Sequence, residues 1–251
     1  MTWWHGVLIA VAGLWAGTIN TVVGSGTLVT FPVLVALGYP PVTATTSNAI
    51  GLVPGSFTGA WGYRREISGA RQQLIRWSVM SALGAVGGTI LLLSLPPDAF
   101  ETIVPFLVGI ALVLVVVQPA LTRRLQRTGA DGRRSKTWLL YPLIFLVGVY
   151  GGYFTAAQGI MLIGVMGLLL TEPLQRLNGY KNVLAAVVNL VAGAIYAVVA
   201  PISWPVVAIL AVSSTLGGLI GARVGRRLPP TVLRAVIVVV GLVAIVRLVI
   251  E

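Results

Sequence analysis

The chain keeps returning to apolar stretches about as long as a membrane is thick. A helix needs roughly 20 apolar residues to cross the hydrocarbon core. Stretches of that kind cover residues 5–22, 43–62, 76–95, 102–121, 138–157, 182–200, 205–222 and 231–249. Of the 251 residues, 57% are hydrophobic and 9% charged, whereas a soluble domain carries about 25% charge. So much apolar surface cannot be hidden inside one globule of this size. That excludes an ordinary soluble enzyme, a disordered chain and a fibre. The sequence predicts an all-α polytopic membrane protein with about eight full transmembrane helices.

Two further apolar pieces, 25–38 and 159–171, are short and flanked by Gly, Pro and hydroxyl residues. Such segments are typical of broken or re-entrant helices in transporters. Crossing by broken segments is the preferred expectation, because it keeps Arg176 on the cytoplasmic side. If both pieces cross, both termini lie outside. If both re-enter, the N-terminus moves inside.

Charge orients the loops. The formal net charge is +11, and the basic residues fall in short runs between apolar stretches. Arg64, Arg65, Arg71 and Arg76 form one run. Arg123, Arg124, Arg127, Arg133, Arg134 and Lys136 form a second, and Arg223, Arg226, Arg227 and Arg234 a third. Cytoplasmic loops look like this under the positive-inside rule, so the charge speaks for topology rather than nucleic-acid binding. The loop around Pro96, Pro97, Asp98 and Glu101 and the loop 200–204 have no basic residue and should face outward. No cysteine is present, so no disulfide or thiolate site is expected. The single histidine, His5, lies beside Trp3 and Trp4 and reads as an interfacial residue. There is no metal-ligand cluster, Walker loop or nucleophile–base constellation, so no metal, cofactor, ATP drive or enzymatic reaction is expected. No cleavable signal peptide is expected either.

The chain also looks duplicated. Leu83-Gly84-Ala85-Val86-Gly87-Gly88, followed by Leu95-Pro96-Pro97, recurs 133 residues on as Leu216-Gly217-Gly218-Leu219-Ile220-Gly221 and Leu228-Pro229-Pro230. Gly13, Gly17 and Gly24 recur 135 residues on as Gly148, Gly152 and Gly159; Asn48 and Gly59 recur at 134 as Asn182 and Gly193. Matched loops carry opposite charge character. Equivalent loops on opposite faces mean an inverted-topology repeat, with substrate held near the midplane between the repeats. The expected organisation is a first repeat over 1–122, a basic cytoplasmic linker over 123–137 and a second repeat over 138–251.

Polar residues gather at two glycine-rich hinges. The first holds Asn20, Gly24, Ser25, Gly26 and Thr27; the second holds Thr155, Gln158 and Gly159. Unwound backbone in a membrane must be buried in protein or line a wet cavity. A short helix starting at either hinge would aim its N-terminal amides there, which suits an anion. Small-residue helix packing is the alternative use of such glycines. Asn48 follows the first short segment, and Lys181, Asn182 and Asn189 follow the second. Lys181 is the best candidate for a direct anion contact, the alternative being a lysine snorkelling from a helix end.

These residues resemble the sulfite exporter TauE/SafE family of bacterial membrane transporters. The likeness rests on Gly24-Ser25-Gly26, Phe31-Pro32-Val33-Leu34, Ala44-Thr45-Thr46-Ser47-Asn48, the stretch 148–159, Lys181 with Asn189, and 217–230. It implies export of sulfite or organosulfonates from the cytoplasm across the inner membrane. It departs from the family at the hinges, which read GSG and AQG where a triple-glycine run is commoner. Together these readings describe a secondary transporter of small sulfur-containing anions working by alternating access. The lining would comprise Asn20, Gly24, Ser25, Gly26, Thr27, Asn48, Thr155, Gln158, Gly159, Lys181, Asn182 and Asn189. A carrier of another small anion, such as a carboxylate, and a passive anion channel remain rival readings. The lipid bilayer and a small anion are the expected partners, and nucleic acid is not. The glycine faces at Gly84/Gly88 and Gly217/Gly221 leave a homodimer open.

Overall fold

A computed structural model describes residues 2–128, 137–224, 233 and 235–242. The basic residues of the linker at 129–136, the repeat partner Leu228-Pro229-Pro230 and most of the 231–249 span lie outside the described residues. Every assigned element is helical. In order they are α1 (Trp3–Val22), α2 (Thr27–Ala36), α3 (Pro41–Gly51), α4 (Val53–Gly62), α5 (Arg71–Ser94), α6 (Pro97–Thr128), α7 (Leu140–Tyr153, preceded by a 3-10 turn), α8 (Gln158–Leu169), α9 (Leu174–Val199) and α10 (Trp204–Val224). Helical residues also occupy 235–242.

Five of these helices, α1, α5, α6, α9 and α10, are long and apolar enough to cross a membrane. The eight expected spans differ from this for local reasons. The 43–62 stretch is two helices that meet at Leu52, where Pro54 has no N–H to continue the ladder. The 138–157 stretch stops at Tyr153, because Phe154 is extended, with φ −154° and ψ 97°. Residue Leu95 is likewise extended before Pro96, and Ala200 before Pro201, as the residue preceding a proline tends to be.

The two short segments form helices too short to cross by themselves. Helix α2 has 10 residues and α8 has 12, so they reach about 15 and 18 Å against a hydrocarbon core of roughly 30 Å. Each turns back on the helix before it. Helices α1 and α10 run parallel: Gly13 lies against Leu210 and Ser213, Gly17 against Ser214 and Gly218, and Thr18 and Thr21 against Gly221. Helix α1 therefore starts at the end of the molecule where residues 200–203 lie. Helix α2 returns to that same end, since α3, only a short turn later, is tied there. Thr46 donates to the Pro201 carbonyl at 2.7 Å, and the Ser203 amide donates to Ser47 at 2.9 Å.

Helices α5 and α7 also run parallel. Gly84 lies on the backbone of Phe145 and Gly148, Gly88 on Val149 and Tyr153, and Gly152 on Ala85. Helix α7 starts at the opposite end, where the 63–70 loop lies. Helix α8 returns there, because α9 begins against that loop, with Gly179 on Tyr63 and Ile67. The protein thus contains two helical hairpins, α1–α2 and α7–α8, that enter from opposite ends.

Along the long helices, many side chains facing away from this core are apolar. Val7, Val11, Ile75, Leu83, Ile90, Phe106, Ile110, Val113 and Val212 are all exposed, which suits a surface wetted by lipid. Exposed tryptophans mark both rims: Trp3, Trp4 and Trp204 at one end, Trp61 and Trp138 at the other. Such belts sit at membrane–water interfaces.

Candidate functional site

The tips of the two hairpins touch. Gly24 lies in the turn between α1 and α2 with φ +95°, a conformation glycine adopts without strain. Its carbonyl accepts the amide of Gly159, the second residue of α8, at 3.1 Å. A Cβ on Gly24 would come within 2.7 Å of Gly159 Cα, and one on Gly159 within 2.5 Å of Gly24 Cα. Only glycine fits on either side. Helices α2 and α8 both start at this crossing, and neither has a side-chain cap at its N-terminus. Two positive dipole ends are therefore brought to one place.

Buried polar side chains surround the crossing. Ser25 is fully buried and its hydroxyl has no partner. Gln158 is 1% exposed, folds back against Gly151, and leaves both Oε1 and Nε2 without a partner. Such groups are costly to bury unpaired, so both side chains are free to bond a guest at the crossing. Asn48 holds α2 to α3: Thr30 donates to its Oδ1, and its Nδ2 donates to Thr27 Oγ1 at 3.1 Å. Ser56, on α4, accepts from Asn189 Nδ2 at 2.9 Å and from Asn20 Nδ2 at 3.4 Å. Asn189 Oδ1 is left without a partner.

Lys181 reaches the crossing from α9 and is fully buried. Its Nζ donates to the carbonyls of Asn20 and Thr21, at 3.0 and 2.9 Å, and Asn182 Nδ2 adds a bond to Thr21 O at 3.2 Å. Beyond the tips, toward the 200–203 end, Phe31 packs edge-on to Phe154 at 5.2 Å, and Phe100 completes the cluster, 6.2 Å from Phe154.

The family described as Sulfite exporter TauE/SafE matches residues 9–248. This chain belongs to the TauE/SafE family. Among curated relatives of this TauE/SafE protein, a Sinorhizobium sequence named "Probable membrane transporter protein ORF9" is 26% identical over 95% of this chain and 90% of the relative. An Escherichia coli protein named "Probable membrane transporter protein YfcA" is 27% identical over 95% of this chain and 87% of its own. One from Haemophilus influenzae, again named a probable membrane transporter protein, is 24% identical over 90% and 88%. No solved structure matches the chain. Family and relatives make it a multi-pass membrane transporter and not an enzyme.

Most residues singled out in the sequence of this TauE/SafE protein meet near the crossing. Gly24, Gly26, Ser25, Gln158, Gly159, Lys181 and Asn182 gather at it or on the end of α1. Thr27 with Asn48, and Asn20 with Asn189, form two adjoining hydrogen-bonded groups. Thr155 differs, because its hydroxyl is spent on the Gly151 carbonyl one turn back, at 3.0 Å. Sequence reasoning missed Thr21, Thr30 and Ser56, which supply the partners, and Gln118 of α6, whose Nε2 donates to Val23 O at 3.3 Å. Only the buried glutamine, mid-helix in an apolar segment, carried a readable signal.

Proposed function

We propose that this protein is a secondary transporter that moves a small sulfur-containing anion, sulfite or an organosulfonate, out of the cytoplasm by alternating access. The observation that carries this reading is the meeting of two oppositely entering hairpins at Gly24 and Gly159, with Ser25 and Gln158 beside them. An ionised sulfite or sulfonate offers several acceptor oxygens, and two uncapped helix starts with a hydroxyl and an amide offer donors. The family description favours sulfur oxyanions over carboxylates.

Residues 1–122 and 138–251 act as inverted repeats joined by the basic segment 123–137. The packing of Gly84 on Phe145 and Gly148, beside that of Gly217 on Leu14 and Thr18, supports this, since each glycine, 133 residues from the other, lies on the first helix of the other half's hairpin. Rocking of one hairpin pair against the other would open the crossing to each face in turn, with the Phe31–Phe154–Phe100 cluster as the barrier on one side. The inside-negative potential of the cytoplasmic membrane favours anion exit by about 2.3 kcal/mol per charge per 100 mV. The test is counterflow: proteoliposomes loaded with unlabelled sulfite should transiently accumulate labelled sulfite, and sulfonates should compete. Accumulation of another anion alone would discard sulfite and keep the carrier. Equilibration without overshoot would replace the carrier with a channel.

A further inference from the structure

Lys181 is buried, and its amine bonds only to main-chain carbonyls. In a continuing helix the Asn20 carbonyl would accept from residue 24 and the Thr21 carbonyl from residue 25. The Gly24 turn prevents this. The amides of Val23 and Gly24 both go to the Ile19 carbonyl, at 2.7 and 3.0 Å. The last carbonyls of α1 are thereby left as orphans, and they converge on Lys181 Nζ. Among the described residues no carboxylate pairs with this amine, and the one salt bridge is Arg176–Glu172. What faces the amine is the negative end of α1. Two carbonyl oxygens 2.9–3.0 Å from one buried point, backed by a helix C-terminus, are the makings of a monovalent cation site of the kind broken helices build.

We propose that Lys181 is a tethered cation, its ammonium filling a place where the end of α1 would otherwise bind a free monovalent cation such as Na+. On the carrier reading above, the cycle then draws on no free Na+ at this place. The side chain also spans the two halves, from α9 to α1, and its Cδ lies 3.1 Å from where a Cβ on Gly24 would stand. The charge therefore sits at the hairpin tips without being supplied from solution.

The test is thermal melting of the purified protein in choline chloride and in NaCl at equal ionic strength. The wild-type Tm should be the same in both. Lys181→Ala should melt lower in choline and recover saturably with Na+, by roughly 2–4 °C. Methylammonium, the lysine head group as a free ion, should recover it too. Lys181→Met, which fills the space with carbon and sulfur, should recover with neither. Absence of saturable recovery in Lys181→Ala overturns the proposal, and so does an equal Na+ stabilisation of the wild type. Neither readout involves transport, so their failure leaves the carrier reading standing. Should Lys181→Ala not fold, wild-type counterflow decides. Replacing Na+ by choline on both faces should leave it unchanged, and a saturable Na+ requirement overturns the proposal.

Discussion

Gln158 and Asn48 are both buried amides, yet they stand in opposite situations. Asn48 is bonded to Thr27 and Thr30, so Asn48→Ala strands two hydroxyls and should cost about 1–3 kcal/mol, read as a lower Tm. Gln158 has no partner to lose. Gln158→Leu, of similar size, removes an unpaired amide and should melt at or above wild type while counterflow falls roughly 10-fold. A variant that transports normally would remove Gln158 from the substrate path. Gly24→Ala and Gly159→Ala press a methyl against facing backbone, and each should lower the Tm by the equivalent of ~2 kcal/mol or more. Retained stability in both would mean the tips are not in contact. At this scale the sequence displayed the glycines, the amides and the lysine, because such residues are conspicuous among apolar ones. It did not display what they bond to. Lys181 binds main-chain carbonyls, which no side-chain pattern announces, and Ser56 and Thr30 look like ordinary small residues of a packed helix.

Helices α2 and α8 show what hydropathy can and cannot locate. Both were legible as short apolar pieces after a glycine hinge, but hydropathy does not say which way a helix leaves a turn. The direction comes from tertiary ties, Thr46 and Ser47 to the 200–203 loop and Gly179 to the 63–70 loop. One consequence bears on topology. Because α1 and α2 form a hairpin, the N-terminus lies at the same end as residues 36 and 201, the end that the loop charges predict to face outward. The chain has no cysteine, so single cysteines report cleanly. Thr2→Cys, Ala36→Cys and Pro201→Cys should react with an impermeant maleimide in intact cells, and Ser68→Cys only after permeabilisation. Labelling of Thr2→Cys from the cytoplasmic side alone would refute the hairpin. The break of 43–62 at Leu52 was hidden for a different reason: Pro54 was visible, but a proline can kink a span as easily as divide it.

Across the whole molecule, the glycine faces pair helices that are far apart in the chain. Gly84→Val and Gly217→Val each place a branched side chain on backbone, of Phe145 in one case and Leu14 in the other. Both should sharply reduce the amount of folded protein recovered in detergent, by comparable factors. A tolerant Gly217 beside an intolerant Gly84 would break the equivalence of the halves. This large-scale pairing was legible only as the offset between LGA and LGG motifs, and which helix met which needed the structure. The parallel pairing of α1 with α10 has a further meaning for biogenesis. The first helix to leave the ribosome finds its main partner only about 200 residues later, which at 5–20 residues per second is roughly 10–40 s. Throughout that interval its Gly13–Gly17 face lies open to lipid or to other chains. Helix α5 waits for a much shorter stretch of synthesis before α7 arrives. The α5–α7 pair is therefore in place well before the α1–α10 pair, and the oldest helix waits longest for its main partner.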